Sequence, residues 1–108
     1  MTVNELTNYA GFTALTLPCP NRVIDGVYIG DLLSWVMGRA ESDNAWITIM
    51  SNVNVIAVAT LADVSCVILA EGVTPDDEVL NIAKEKGVNV VSASLPIYEA
   101  AIKLKDLI

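Results

Sequence analysis

The sequence has no histidine, and this absence excludes several kinds of active site. A Ser–His–Asp triad, a Cys–His dyad and a conventional Cys/His metal site all need an imidazole ring. The two cysteines, Cys19 and Cys66, are far apart and form no C-x-x-C pair. We therefore expect two buried free thiols in a cytoplasmic protein. We predict no catalytic residue, no metal and no cofactor.

Basic residues are scarce, with 6 Lys and Arg against 13 Asp and Glu, for a net charge of −7. Such a chain is not expected to bind nucleic acid, which requires clustered positive charge. The uncharged stretch 45–62 is about as long as a bilayer span, but Asn52 and Asn54 lie at its middle. We predict a buried strand and a buried helix there, and no membrane association.

Glycine-rich phosphate-binding loops are also missing. Neither G-x-x-x-x-G-K-[ST] nor G-x-G-x-x-G occurs, and the first lysine of the chain is Lys84. Gly30 stands alone before Asp31, which we predict to be the N-cap of a helix. A carboxylate at that position repels an anion. We therefore interpret Gly30-Asp31 as a turn and a cap, and a role towards a metal-bridged ligand or a partner stays open.

Strand-like and helix-like segments alternate along the chain, which favours an α/β layer fold with a largely parallel sheet. The connection 17–23 is too short for a parallel crossover, so we expect a mixed sheet of about four or five strands flanked by helices. The predicted strands are 13–17, 23–29, 45–50, 65–70 and 88–93. The predicted helices are 2–11, 31–38, 51–63, 74–86 and 96–107. Thr2 with Glu5 forms a capping box, and Thr74, Pro75 and Gly87 are interpreted as the cap, first residue and stop of the fourth helix.

The helix 31–38 is short and almost wholly apolar, with only Ser34 opposite its apolar arc. A surface helix normally keeps a polar half, so this one is expected to be covered by its own sheet and by another subunit. The alternative is a helix enclosed within one domain. The candidate interface residues are Leu32, Leu33, Trp35, Val36 and Met37.

Ligands of parallel α/β sheets bind at the carboxyl ends of the strands. The candidate ligand-binding residues at those ends are Gly30, Asp31, Ser51, Asn52, Glu71, Gly72, Ser92 and Ser94. They suit a neutral or cationic ligand, or one held by backbone N–H groups. The alternative is that these eight are ordinary loop and cap residues that bind no ligand. The acidic run 76–78 is interpreted as compensation of a helix dipole.

Three stretches, IDGVYIGDLLSWVMGRA, WITIMSNVNVIAVATLADVSCVILAEGVTPDDEVLNIAKEKGVNVVSA and LPIYEAAIKL, resemble the DRTGG domain family. The resemblance covers nearly the whole chain and implies one three-layer domain over residues 1–108, similar to the N-terminal domain of HPr kinase/phosphorylase. It also implies a regulatory or dimer-forming role. Ser51-Asn52-Val53 stand where an Asp-Arg pair is common in the family, and Ala70-Glu71-Gly72 where Thr-Gly-Gly is common.

These observations favour a non-catalytic regulatory or scaffolding module that forms a homodimer and contacts a protein partner. A "serine kinase" activity has no support, because the resemblance assigns that chemistry to a P-loop domain that this sequence does not contain. The alternative is a sensor of a small, nucleotide-like metabolite at the strand ends. An enzyme acting alone is the least favoured possibility, because no motif organises its Asp, Glu, Ser or Lys residues into a catalytic set.

Overall fold

The computed structural model describes residues 1–108, and its strands and helices alternate in the predicted order. The strands are β1 Phe12–Thr16, β2 Gly26–Ile29, β3 Asn44–Thr48, β4 Cys66–Leu69 and β5 Val90–Ala93. The helices are α1 Val3–Leu6, α2 Leu33–Arg39, α3 Val53–Ala62, α4 Asp77–Lys86 and α5 Ile97–Leu107. None of these helices is both long and apolar enough to cross a membrane.

The five strands form one mixed sheet in the order β1-β5-β4-β3-β2. The strands β2 to β5 are parallel, and β1 pairs antiparallel with β5. The predicted mixed sheet is confirmed, but the connection after β1 does not join neighbouring strands. It passes along the amino edge of the sheet from β1 at one border to β2 at the other, a distance of about 19 Å at the usual strand spacing.

Helices cover both faces of the sheet, so the three-layer architecture is confirmed. One core lies under α1 and α5 and contains Leu6, Ile47, Ile68 and Leu104, all fully buried. The other core lies under α2, α3 and α4 and is centred on Trp46, which is 0% exposed. Successive residues of β3 and β4 alternate between the two cores, which explains why Ala45–Ile47 of β3 and all of β4 are apolar.

Two helices differ from the sequence prediction: α1 ends at Leu6, and α4 begins at Asp77. The capping box of Thr2 and Glu5 is present, but α1 is only four residues long. The N-cap of α4 is Asp76, so Thr74 is not the cap and Pro75 is not the first helical residue. Gly87 ends α4 in a left-handed conformation with φ of 73°, as its position after the lysines predicted.

The amino edge of the sheet is held together by Arg22 from the connection after β1. One guanidinium nitrogen lies 2.7 Å from Asp43 Oδ1, and another lies 3.0 Å from Asp63 Oδ1. Ser42 Oγ donates a hydrogen bond of 2.6 Å to the second carboxylate oxygen of Asp63. Both aspartates have left-handed backbones, with φ of 68° and 56°. Arg22 therefore joins two loops that precede β3 and β4.

The stability of the protein should fall in acid partly because of Asp63. The hydrogen bond from Ser42 and the neighbouring Arg22 lower the pKa of the Asp63 carboxyl. A carboxylate with a lowered folded-state pKa stabilises the fold above its unfolded pKa, near 3.9, and this contribution is lost as pH falls below that value. We expect Asp63→Asn, which tolerates the left-handed backbone, to reduce the loss of unfolding free energy between neutral and acid pH. The reduction, measured by urea denaturation at each pH, should be less than about 1 kcal/mol, because the carboxylate is exposed. An unchanged pH profile would contradict this assignment.

Both cysteines are free thiols, as predicted, but only Cys66 is fully buried. Burial raises the pKa of the Cys66 thiol to about 12, so it has almost no thiolate at neutral pH. Cys19 is only partly buried, which corrects the prediction of two buried thiols. It lies in the loop at the amino edge, where the side chain of Asn89 binds both its backbone N–H and its carbonyl oxygen.

Candidate functional site

The carboxyl ends of β2 to β5 lie along one edge of the sheet, because these four strands are parallel. All eight residues predicted for ligand binding lie at or just beyond this edge. They are Gly30 and Asp31 after β2, Ser51 and Asn52 after β3, Glu71 and Gly72 after β4, Ser92 in β5 and Ser94 after it. Their role in binding remains a prediction.

Gly30 and Asp31, which follow β2, form hydrogen bonds with residues of β3 and of the loop after it. The carbonyl oxygen of Gly30 accepts a hydrogen bond of 2.9 Å from Trp46 Nε1. Asp31 Oδ1 accepts one of 2.7 Å from Thr48 Oγ1 and one of 3.1 Å from the backbone N–H of Ile49. The N-cap of α2 is Leu32, without a side-chain hydrogen bond, so the predicted capping role of Asp31 is wrong. Its carboxylate instead binds the neighbouring strand end.

Removing the Asp31 carboxylate should destabilise the protein modestly. Asp31→Ala leaves the hydroxyl of the fully buried Thr48 without this acceptor, and we expect a loss of about 1–2 kcal/mol in the free energy of unfolding. Asp31→Asn is the matched control, because its amide oxygen can accept the same two hydrogen bonds. Urea denaturation of both variants measures the difference. Equal losses would show that charge, and not the hydrogen-bond acceptor, is what matters at this position.

Glu71 contacts α5, which lies on the face of the sheet opposite to α2. Its Oε2 accepts a hydrogen bond of 3.0 Å from the backbone N–H of Ile97, the first residue of α5. The N-cap of that helix, Pro96, provides no side-chain hydrogen bond. A carboxylate at a helix N-terminus is favoured by the helix dipole. Glu71 and Gly72 both have positive φ, of 62° and 70°, so this pair forms a tight turn that places the carboxylate under α5.

A cavity of about 280 Å³ opens between the starts of α3 and α4. Of the eight predicted residues it brings together only Ser51 and Asn52. Its other lining residues are Val53, Thr74, Asp76, Glu78 and Val79. Asn52 is the N-cap of α3 and accepts a hydrogen bond from the N–H of Asn54.

The sequence prediction named only two of the seven residues that line this cavity, and the acidic run 76–78 was left out because the helix dipole alone explained it. The order of the strands could have revealed the other lining residues. Because β3 and β4 are adjacent and parallel, the loops that follow them meet at the carboxyl edge. The carboxylates of Asp76 and Glu78 line the cavity and no Lys or Arg does. A phosphate group is therefore disfavoured there, and a neutral or cationic ligand is favoured. No group of three or more acidic or cysteine side chains is placed to hold a metal ion.

The predicted interface on α2 is only partly at the surface. Leu32, Trp35 and Met37 are exposed by 55%, 52% and 52%. Val36 is completely buried and Leu33 packs inwards against the core of the helical layer. Val36 therefore cannot belong to an interface, which corrects the prediction. The guanidinium of Arg39 lies 3.8 Å from the centre of the Trp35 ring, so it covers part of this aromatic surface by a cation–π contact.

Fold and edge geometry define a three-layer α/β domain. Residues 21–107 match the model of the DRTGG domain, and the chain belongs to that family. A solved structure with the same fold is that of the CBS and DRTGG domains of the regulatory region of Clostridium perfringens pyrophosphatase, complexed with its activator diadenosine tetraphosphate. The sequences are 15% identical with a TM-score of 0.71; the match covers 92% of this chain and 44% of that one. No curated protein matches the sequence.

Proposed function

We propose that this chain is a regulatory module without a catalytic centre of its own, which acts by pairing with a second copy through α2. The observation that carries the proposal is the exposure of three large apolar side chains on one short helix and its N-cap, Leu32, Trp35 and Met37, each more than half exposed. Large exposed apolar patches mark interaction sites on small proteins. The pyrophosphatase region with the same fold is itself regulatory, which supports a role of this class.

The distribution of charge supports a second copy as the partner. The chain carries a net charge of −7, so two copies repel each other over most of their surfaces. Neither α2 nor α3 contains an acidic residue, and Arg39 is their only charged residue. The exposed side of α2 is thus a place where two acidic copies meet with little repulsion. The expected setting is the cytoplasm, in keeping with the two free thiols.

Light scattering of the wild type and of Trp35→Glu tests self-association. We expect a wild-type dimer at micromolar concentration and a monomer after the substitution, because a buried carboxylate opposes the contact. Tyr98→Glu is the matched control: Tyr98 is 72% exposed but lies on α5, on the opposite face of the sheet, and the dimer should persist. A monomeric wild type would rule the proposal out.

A second candidate function is that of a small-molecule sensor. The observation that favours it is the cavity between the starts of α3 and α4. The pyrophosphatase region with this fold, which is complexed with a small-molecule activator, supports a sensor role in general but not the same ligand. The carboxylates of Asp76 and Glu78 make a polyphosphate a poor fit to this particular cavity. We therefore expect amino compounds or neutral polar metabolites to bind, and not nucleotides.

Thermal shift against a panel of diamines, amino acids, neutral nucleosides and nucleotides tests the sensor. A ligand specific for the native state raises the midpoint by mass action. The shift should disappear in Asp76→Asn and persist in Asp106→Asn, an exposed carboxylate outside the cavity. No shift with any amino or neutral compound would remove this candidate, and a shift with nucleotides alone would refute the assigned ligand class.

A further inference from the structure

A groove of about 370 Å³ runs between α3 and α4 on the outer face of the helical layer. Its lining residues are Val53, Ile56, Ala57, Thr60, Leu61, Ile82 and Lys86. A helix on the surface of a protein is expected to turn a polar side outwards. The outward side of α3 instead presents Val53 and Leu61, exposed by 41% and 73%.

The groove continues into the acidic cavity, because Val53 lines both. On the α4 side, Glu78, Ile82 and Lys86 follow one another at intervals of four residues, so they form one stripe along the helix. This stripe is negative at its start, apolar in the middle and positive at its end. The two helices are parallel, since each connects neighbouring parallel strands. Asp76 adds a second carboxylate at the start.

We propose that this groove binds an amphipathic α-helix of a partner protein, lying antiparallel to α3 and α4. The apolar stripe of the partner helix packs on Val53, Ile82 and Leu61, in the helix-in-groove mode of recognition. Helices commonly carry acidic residues in their first turn and basic residues in their last. In the antiparallel orientation the acidic first turn meets Lys86, and the basic last turn meets Asp76 and Glu78.

The length of the groove agrees with this occupant. The ten residues of α4 span about 15 Å, close to three helical turns. A helix of that length presents its first and last turns to the two charged ends at the same time. The reverse orientation would place like charges together at both ends. The binding mode therefore specifies direction as well as composition, and it is independent of self-association through α2.

Two designed peptides test the proposal with the full chain. Each is a capped helical peptide of about 14 residues, since shorter isolated helices are marginal in water, with the same leucine stripe. The first has glutamates in its first turn and lysines in its last; the second has these charges exchanged. We expect the first to bind roughly tenfold more tightly by fluorescence anisotropy, and high salt should reduce the difference. Equal affinities, or no binding of either peptide, would overturn the proposal.

Exchanging the charges of the groove provides the decisive variant. Glu78→Lys combined with Lys86→Glu should invert the preference between the two peptides. The matched control combines Asp77→Lys with Lys84→Glu, which makes the same exchange on the side of α4 away from the groove, and it should leave the preference unchanged. If the groove exchange alters the mass of the protein in light scattering and leaves peptide binding unchanged, the occupant is a second copy and the partner helix is refuted.

Discussion

Replacing Asn89 with alanine should lower the free energy of unfolding by about 3 kcal/mol, although Asn89 lines neither the cavity nor the groove. Asn89 is 1% exposed. Its Oδ1 accepts a hydrogen bond of 2.9 Å from the N–H of Cys19, and its Nδ2 donates to the carbonyl oxygens of Cys19 and Ser65 at 2.7 and 2.9 Å. Each such bond contributes about 1 kcal/mol, and unpaired buried groups add to the cost.

The loss should be accompanied by release of the loop that crosses the amino edge. That loop carries Cys19, whose backbone is held by Asn89 alone among the side chains. We expect Asn89→Ala to raise the rate at which Cys19 reacts with a thiol reagent, while Cys66 stays unreactive because of its burial and raised pKa. Urea denaturation and thiol labelling provide the two measurements.

Asn21→Ala is the control for this substitution. Asn21 lies in the same loop but is exposed, so its replacement should change the free energy of unfolding by less than about 0.5 kcal/mol. If Asn89→Ala lowers stability without changing the labelling of Cys19, the amide supports the strand ends only and does not hold the loop. A stability loss as small as that of Asn21→Ala would contradict the prediction altogether.

The parts of the fold that sequence predicted are those encoded locally. The apolar runs of β3 and β4 and the charge and glycine signals around α4 each depend on a few neighbouring residues. The pairing of β1 with β5 joins Phe12 to Ala93, and no local pattern encodes a contact over that separation. The same limit hid the route of the loop across the amino edge, where Asn89 and Arg22 hold it through tertiary hydrogen bonds.

The candidate site was predictable to the same extent. The rule that ligands bind at the carboxyl ends of parallel strands selected the edge, because strand direction follows from the alternation of strands and helices. Which polar groups at that edge already form hydrogen bonds within the protein depends on tertiary contacts. Asp31 and Glu71 form hydrogen bonds to Thr48 and Ile97. The cavity lies instead where two helices begin side by side.

Replacing Trp46 with alanine should have the largest effect on stability of any single substitution considered for this chain. Trp46 is the largest fully buried side chain and lies in the core between the sheet and the helices α2 to α4. Truncating a buried aromatic residue to alanine costs about 3–5 kcal/mol, through lost burial and the cavity that remains. Small domains are stable by about 5–15 kcal/mol, so we expect Trp46→Ala to unfold at much lower urea concentration, as followed by circular dichroism.

The milder variant Trp46→Phe connects this core position to the proposed function. It keeps an aromatic ring but removes the hydrogen bond from Nε1 to the carbonyl oxygen of Gly30. That bond fixes the junction from which α2 starts, two residues before the exposed Leu32. We therefore expect Trp46→Phe to lose about 1–2 kcal/mol of stability and also to weaken the dimer in light scattering, although it changes no surface atom.

Tyr28→Phe is the matched control for Trp46→Phe. It removes a hydroxyl close to Gly30 while the bond from Trp46 stays intact, so both stability and dimer mass should remain near those of the wild type. If Trp46→Phe loses stability but keeps a full-strength dimer, the start of α2 is positioned by its packing on the core and not by the bond to Gly30. If both variants weaken the dimer equally, the effect comes from packing around Gly30, and the specific role of the indole N–H is refuted.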